Sequence, residues 1–147
     1  MIELKELQTK QEMLDHLDVM QELYPSLTRE SYSKDLDEML LNNHYGQLAA
    51  FDNGKCIGIA GFWIGTKLWC GRYLEIDNLV VSDKARSKGV GKALFEYLFQ
   101  KAIEFNCNMM SLDSYTYNFK AHKFFYNEGY APRGFHFIRF LNEDQIR

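Results

Sequence analysis

The sequence predicts an α/β fold: an α+β mixed sheet with helices on both faces and elements in the order β-α-α-β-β-β-α-β-α-β-β. Three observations predict it. Two stretches of helical periodicity precede residue 45. A hairpin signal, Asp52-Asn53-Gly54, follows them. After residue 72 a strand, a long amphipathic helix and a short strand make a β-α-β crossover. Hairpins give antiparallel pairs and a crossover gives a parallel one, so the sheet has to be mixed.

Each element has a local cause. Ile2–Leu7 reads as the first strand. Residues 10–24 place Met13, Leu14, Leu17, Met20 and Leu23 at a helical period, and Pro25 stops the run. Thr28 is expected to cap a second helix over residues 31–42, with Leu36, Met39 and Leu40 as its buried stripe. Residues 47–51 and Lys55–Lys67 alternate and are rich in β-formers; Asn53 and Gly54 between them tolerate the positive φ of a tight hairpin. Residues 72–81 make the next strand, with Leu74, Ile76, Val80 and Val81 apolar. Residues 89–105 form a long amphipathic helix carrying Leu94, Leu98, Ala102 and Phe105, and residues 109–113 a short strand. A helix over residues 118–128 is stopped by Gly129, at a position that favours left-handed backbone. Tyr130 and residues 135–141 read as the last strands.

Composition narrows the function classes. The chain has 147 residues without repeats, low-complexity tracts or Pro/Ser-rich linkers, so residues 1–147 read as a single domain. Apolar residues make up 46%, enough to bury a core without disulfide or metal staples. The net charge of −3 counts against a nucleic-acid partner, which calls for a basic face. Cys56, Cys70 and Cys107 are odd in number, form no CxxC pair and show no metal-ligand spacing with the four histidines. They read as reduced thiols, with no metal site. The N-terminal MIELKELQTK has no apolar core of a leader, and no window approaches the ~20 apolar residues of a membrane span. A soluble, cytoplasmic chain with no membrane partner is the expectation.

The most informative stretch joins the strand over residues 72–81 to the long helix. Leu79, Val80 and Val81 close the strand. Arg86-Ser87-Lys88-Gly89-Val90-Gly91-Lys92 then leads into the helix. Amide groups at a helix start converge on one spot, the macrodipole makes that spot partly positive, and glycines let an anion approach the backbone. Arg86, Lys88 and Lys92 add three cations. A pyrophosphate fits this arrangement. The glycines alone would equally suit a plain strand-to-helix turn; the cations favour the anion. A dinucleotide fingerprint is excluded because Leu94 stands where its third glycine belongs, and the P-loop pattern is absent.

Arg86, Gly89 and Gly91 match R/Q-x-x-G-x-G/A, and the run resembles the acetyl-CoA loop of the GNAT superfamily of N-acetyltransferases; Ser87 stands where that family often has glycine. A second motif agrees. The family's N-x-x-A-x-x-F/L-Y-x-x-x-G-F/Y is met by Asn118, Ala121, Phe124, Gly129 and Tyr130 in register. The resemblance covers nearly the whole chain, more loosely before Gln47. It implies the GNAT acyl-CoA N-acyltransferase fold. It also implies acetyl-CoA as donor substrate, held by Leu79, Val80, Val81, Arg86, Ser87, Lys88, Gly89, Val90, Gly91 and Lys92, with Asn118 on the pantetheine arm and Phe125 near the sulfur. Within the superfamily the chain is most similar to small-amine enzymes such as the aminoalkylphosphonate acetyltransferases. The shared features are the strand Glu75 to Val81, the pair Ala121-His122 and the run Phe135-His136-Phe137.

One departure bears on mechanism. Phe125 occupies the position where the family commonly has a tyrosine that protonates the leaving thiolate, and a phenyl ring has no proton to give. Tyr126 is the neighbour able to take that role, about 100° further round a helix; packing or plain surface is its other reading. Glu75 and Asp77 sit two apart on one strand, hence on one face, and paired carboxylates attract a cation and raise one pKa. The resemblance implies that Glu75 is the base for an ammonium acceptor, while a salt bridge or a solvent-facing carboxylate is the alternative. The expected reaction is direct attack of a small-molecule primary amine in a ternary complex. A protein N-terminus or lysine as acceptor, and a catalytically silent acyl-CoA-binding module, remain the alternatives. Phe62-Trp63, Trp69, Tyr115, Tyr117 and Phe135 would wall an acceptor pocket or serve as core and homodimer contacts; both readings stay open.

Overall fold

A computed structural model describes residues 1–86 and 88–147. The chain divides into two compact units, Met1–Leu112 and Asp113–Arg147. The first unit holds one five-stranded sheet in the order β1-β2-β3-β4-β5, formed by Ile2–Leu7, Tyr45–Asp52, Lys55–Lys67, Gly71–Val81 and Met109–Leu112. The pairs β1/β2, β2/β3 and β3/β4 are antiparallel, and β4/β5 is parallel. The β2–β3 hairpin turns on Asn53 (φ 50°) and Gly54 (φ 77°), flanked by the pair Asp52–Lys55. This is the two-residue turn with two positive φ angles that matches strand twist.

Between β1 and β2 the chain forms three helices, α1 (Lys10–Leu14), α2 (Leu17–Leu23) and α3 (Arg29–Met39), where the periodicity predicts two. The predicted helix over residues 10–24 breaks at Asp15–His16. The buried residues supply the reason. In one unbroken helix Leu14 and Val19 would point about 140° apart, yet both are buried, together with Met13 and Met20. The break resets the phase so that all four face the core. Thr28 caps α3 as expected, and does so reciprocally: its Oγ1 accepts from the Ser31 amide at 3.1 Å, and Ser31 Oγ accepts from the Thr28 amide at 3.0 Å.

Neighbouring residues of β3 assign the layers. Ile59 packs with Met13, Met20 and Leu36 of α1–α3. A Cβ on adjacent Gly58 would meet Val90 and Leu94 of α4 (Val90–Glu104). Successive strand residues face opposite sides, so α1–α3 cover one face of the sheet and α4 the other. Among the described residues no helix is long and apolar enough to cross a membrane.

In the second unit α5 spans Phe119–Asn127 and ends on Gly129 (φ 91°). The Gly129 amide donates to Tyr126 and the Tyr130 amide to Phe125, the double bond of a left-handed helix stop. The predicted strands at Tyr130 and residues 135–141 do not form: no strand occurs among the described residues after Leu112. Apolar alternation is only half of what a strand needs. The other half is a hydrogen-bonded neighbour, and the unit Asp113–Arg147 contains no second strand to provide one. The mixed α/β class stands, with five strands among the described residues instead of seven.

Candidate functional site

The site in the first unit is organised by β4, which has two unlike halves. From Tyr73 to Ile76 it is flanked by β3 and β5, in register Tyr73↔Met109 to Ile76↔Leu112. From Asp77 to Val81 it keeps β3 alone, since β5 ends at Leu112. The parallel pairing thus stops before Leu79, Val80 and Val81.

Beyond Val81 comes a single 3-10 turn, Asp83–Ala85, then Arg86, Lys88 and Gly89 before α4 starts. Ser87, expected in the anion loop, lies outside the described residues. Gly89 is the N-cap in left-handed conformation (φ 75°, ψ 17°) and makes no side-chain cap. The first intrahelical bond into α4 runs from the Ala93 amide to the Gly89 carbonyl. The amides of Val90, Gly91 and Lys92 therefore have no acceptor within the helix. A Cβ on Gly89 would meet no atom within 4 Å, so the approach is open. Three convergent donors at the positive end of a helix dipole suit a phosphate-bearing ligand such as acetyl-CoA. The cations nearby are held loosely. Arg86 Nη2 lies 2.7 Å from Asp83 Oδ1 and Lys88 Nζ 3.4 Å from Asp52 Oδ2, while Lys92 is exposed.

The loop is tied to α2 by Glu22, whose carboxylate accepts from Ser82 Oγ at 2.9 Å and from the Asp83 amide at 3.1 Å. It is fixed against the sheet by Gly58. A Cβ there would stand 2.9 Å from Val90 Cγ1, so only glycine lets the start of α4 sit this close to β3.

Glu75 and Asp77 lie on the α1–α3 face of β4, Glu75 opposite Trp63 and Asp77 opposite Gly61. Both oxygens of Asp77 are engaged: Oδ2 accepts from the Trp63 indole at 3.0 Å and Oδ1 from the Asn78 amide at 2.8 Å. Glu75 is half-buried beside them.

A network that sequence reading missed adjoins this pair. Between Gly61↔Asp77 and Ile59↔Val80, β3 advances two residues and β4 three, so β4 carries a bulge at Asn78, where φ is 42°. Asn78 Nδ2 donates to Tyr24 Oη at 3.0 Å, and Asn78 Oδ1 accepts from Tyr45 Oη at 2.7 Å. Gln47 Nε2 donates in turn to Tyr45 Oη at 3.0 Å and to Tyr32 Oη at 2.7 Å. Gln47 is a buried polar residue, 1% exposed. Burial pushes the Tyr45 phenol far above its usual range and raises Tyr32 as well, so both keep their protons. One cue was present in the sequence. Asp77-Asn78 interrupts an apolar strand with two polar residues, and asparagine tolerates positive φ.

Asn118, Phe125 and Tyr126 belong to the second unit. Asn118 is the N-cap of α5, its Oδ1 accepting from the Ala121 amide at 3.4 Å. Phe125 packs edge-on against Phe124, with ring centroids 5.9 Å apart. Tyr126 is 58% exposed. His122 meets the Tyr115 carbonyl at 2.8 Å, and His136 pairs with Asp113 at 2.9 Å.

Comparison with known proteins adds a second line of observation. The sequence profile described as the acetyltransferase (GNAT) family matches residues 11–130. YhdJ of Bacillus subtilis strain 168, described as an uncharacterised N-acetyltransferase, is 30% identical over 125 residues, which cover 85% of this chain and 88% of the relative. In fold, the chain is similar to the aminoglycoside N-acetyltransferase AAC(6')-Iy solved in complex with CoA. The TM-score is 0.82 at 20% identity, over 97% of this chain and 96% of that one. It is similar also to glucosamine-6-phosphate N-acetyltransferase from Arabidopsis thaliana, with TM-score 0.75 at 19% identity, over 97% and 99% of the two chains. A protein solved as a transcriptional regulator from Bacillus halodurans C-125 shares the fold with TM-score 0.83 at 16% identity, over 95% and 100%.

Proposed function

The chain belongs to the GNAT acetyltransferase family and is an N-acetyltransferase; from that premise we propose that it transfers acetyl from acetyl-CoA to a primary amine of a small molecule, by direct attack in a ternary complex. The observation that carries this reading is the start of α4, which has no side-chain cap among the described residues. Left-handed Gly89 and the amides of Val90, Gly91 and Lys92 lie just past the stretch of β4 that has lost its parallel partner. In this reading those amides take the pyrophosphate, with Ser87 contributing by its place in the motif. Arg86 and Lys88 leave Asp83 and Asp52 to neutralise phosphate charge. The backbone of Leu79, Val80 and Val81 offers the donor that polarises the thioester oxygen. Asn118 and Phe125 are assigned to the pantetheine arm and the sulfur by their places in the family motif alone.

The acceptor arrives as an ammonium, since an alkylamine has a pKa of ~10.4. Glu75 removes its proton and the nitrogen then attacks the thioester carbon; the C–S bond breaks, CoA leaves as thiolate, and the surplus proton on the new amide nitrogen passes to solvent. Asp77, with both oxygens engaged, supplies negative potential and orientation. Phe125 has no proton to give, so the thiolate takes one from Tyr126 or water. A small-molecule acceptor is favoured because proteins that share the fold over nearly their whole length are described as acetylating aminoglycosides and glucosamine-6-phosphate.

Phe125 also supports a second reading, a silent acyl-CoA-binding module. The discriminating experiment is CoA release from acetyl-CoA with a panel of small amines, amino sugars and peptides, run beside calorimetry of acetyl-CoA binding. Turnover with small amines and none with peptides is the expected result. Tight binding without turnover on any acceptor would favour the silent module.

A further inference from the structure

The β4 bulge is fastened from outside the strand, and the fastening runs through a gap that one glycine creates. The Asn78 side chain is hydrogen-bonded to Tyr24, at the end of α2, and to Tyr45, on β2. β3 lies between β4 and β2 in the sheet, and the β3 residue at this level is Gly61. A Cβ on Gly61 would stand 2.6 Å from both Asn78 Oδ1 and Tyr45 Oη. The hydrogen bond that crosses β3 therefore exists because residue 61 has no side chain. Tyr45 is itself anchored by Gln47, which also holds Tyr32 on α3.

The bulge decides how the groups on either side of it point. On one side the Asn78 amide holds Asp77 Oδ1, beside the Trp63 indole on Oδ2. On the other side it sets the direction of residues 79–81, where β5 no longer supports the strand. Asparagine at φ 42° would leave this conformation readily if its side chain were released. An extra residue in a strand re-aims the residues after it, and a strand flanked on one side only has less to resist a return to regular pairing.

We propose that Asn78 is a positioning residue for acyl transfer: clamped between Tyr24 and Tyr45 through the gap at Gly61, it holds the bulge, and with it Asp77 and the backbone of residues 79–81, in the geometry the transfer requires. This rests on the acetyltransferase reading, and its test separates the two.

Asn78→Gly keeps the left-handed backbone without strain and removes both side-chain hydrogen bonds. Gly61→Ala leaves every polar group in place and puts a methyl into the gap. Turnover should fall at least about tenfold in both variants, while KM for acetyl-CoA changes less than about threefold, because misplaced reacting groups cost rate more than binding. The second arm needs no acceptor. With acetyl-CoA carrying a 13C thioester carbonyl, infrared difference spectra should show the bound carbonyl stretch of the variants moved towards that of free acetyl-CoA. Wild-type turnover retained within twofold by both variants, or a carbonyl stretch identical to wild type, would overturn the proposal even if both variants melt at lower temperature. If wild type acetylates no amine, the acceptor reading fails and the infrared arm still decides the role of Asn78. Should Asn78→Gly fail to fold, Gly61→Ala and Tyr45→Phe carry the same expectations.

Discussion

The start of α4 and the bulge of β4 stand within one short stretch, residues 77–92, and are held in opposite ways. Around the proposed anion loop the cations Arg86 and Lys88 are held by ion pairs reaching into solvent, to Asp83 and Asp52. Around the bulge the side-chain contacts are largely neutral hydrogen bonds in the interior, linking Asn78, Tyr24, Tyr45, Gln47 and Tyr32. Exposed pairs are weak and screened, so they exchange one anion for another at little cost. Buried hydrogen bonds are costly to leave unmade. The loop proposed to accept and release a polyanion is built from the first kind, and the strand proposed to keep its shape is built from the second.

The largest expected effect tests the loop's backbone. Gly89→Val puts a β-branched side chain at φ 75° and into the anion's approach; affinity for acetyl-CoA measured by calorimetry should fall at least ~100-fold. Unchanged affinity would mean that the anion does not sit there, and the contrast would lose one of its halves. Next in size is Glu75→Gln, on the β4 face that the bulge organises. Turnover at neutral pH should drop about 10- to 100-fold and recover partly at high pH, where more of the amine is already neutral. A pH–rate profile parallel to wild type would remove Glu75 as the base.

Arg86→Ala should be milder and sharper in what it tells. Losing an exposed pair should leave the melting temperature unchanged, while acetyl-CoA affinity falls about fivefold and becomes less salt-dependent. A clear drop in melting temperature would show that the pair holds the loop's structure. The smallest effect concerns the interior. Burial lifts the Cys56 thiol from 9.0 to about 11. Between these values the unfolded chain loses the proton first, so stability is fully present below pH 9 and is lost as pH rises towards 11. Cys56→Ala should flatten that alkaline decline, by roughly 5 °C in melting temperature near pH 11.

How much of this was legible in the sequence depends on the same contrast. The anion loop is contiguous, and its glycines, cations and helix start can be read off one run of residues. The Asn53-Gly54 turn and the Thr28 cap are equally local, and the structure has both. The bulge network draws on residues 24, 32, 45, 47, 61 and 78, which only the fold brings together. The split between α1 and α2 depended on which side of each turn meets the core. At residues 135–141 apolar alternation was present and a pairing neighbour within the unit was not, a requirement that lies outside the segment itself.

Gly58 bears on how such a site drifts over evolutionary time. It has no place among the groups proposed to touch a ligand, yet it sets the seat of α4: a methyl group there would press on Val90 at one end of a helix about 22 Å long. Leu94, one turn further on, is fully buried and cannot yield by sliding. The helix would have to tilt, as a lever does about a fulcrum, and its amides would aim elsewhere. The aim of these amides is therefore set by a silent residue on the neighbouring strand, and lineages that lose that glycine are expected to compensate with a smaller residue at position 90 before they change the loop.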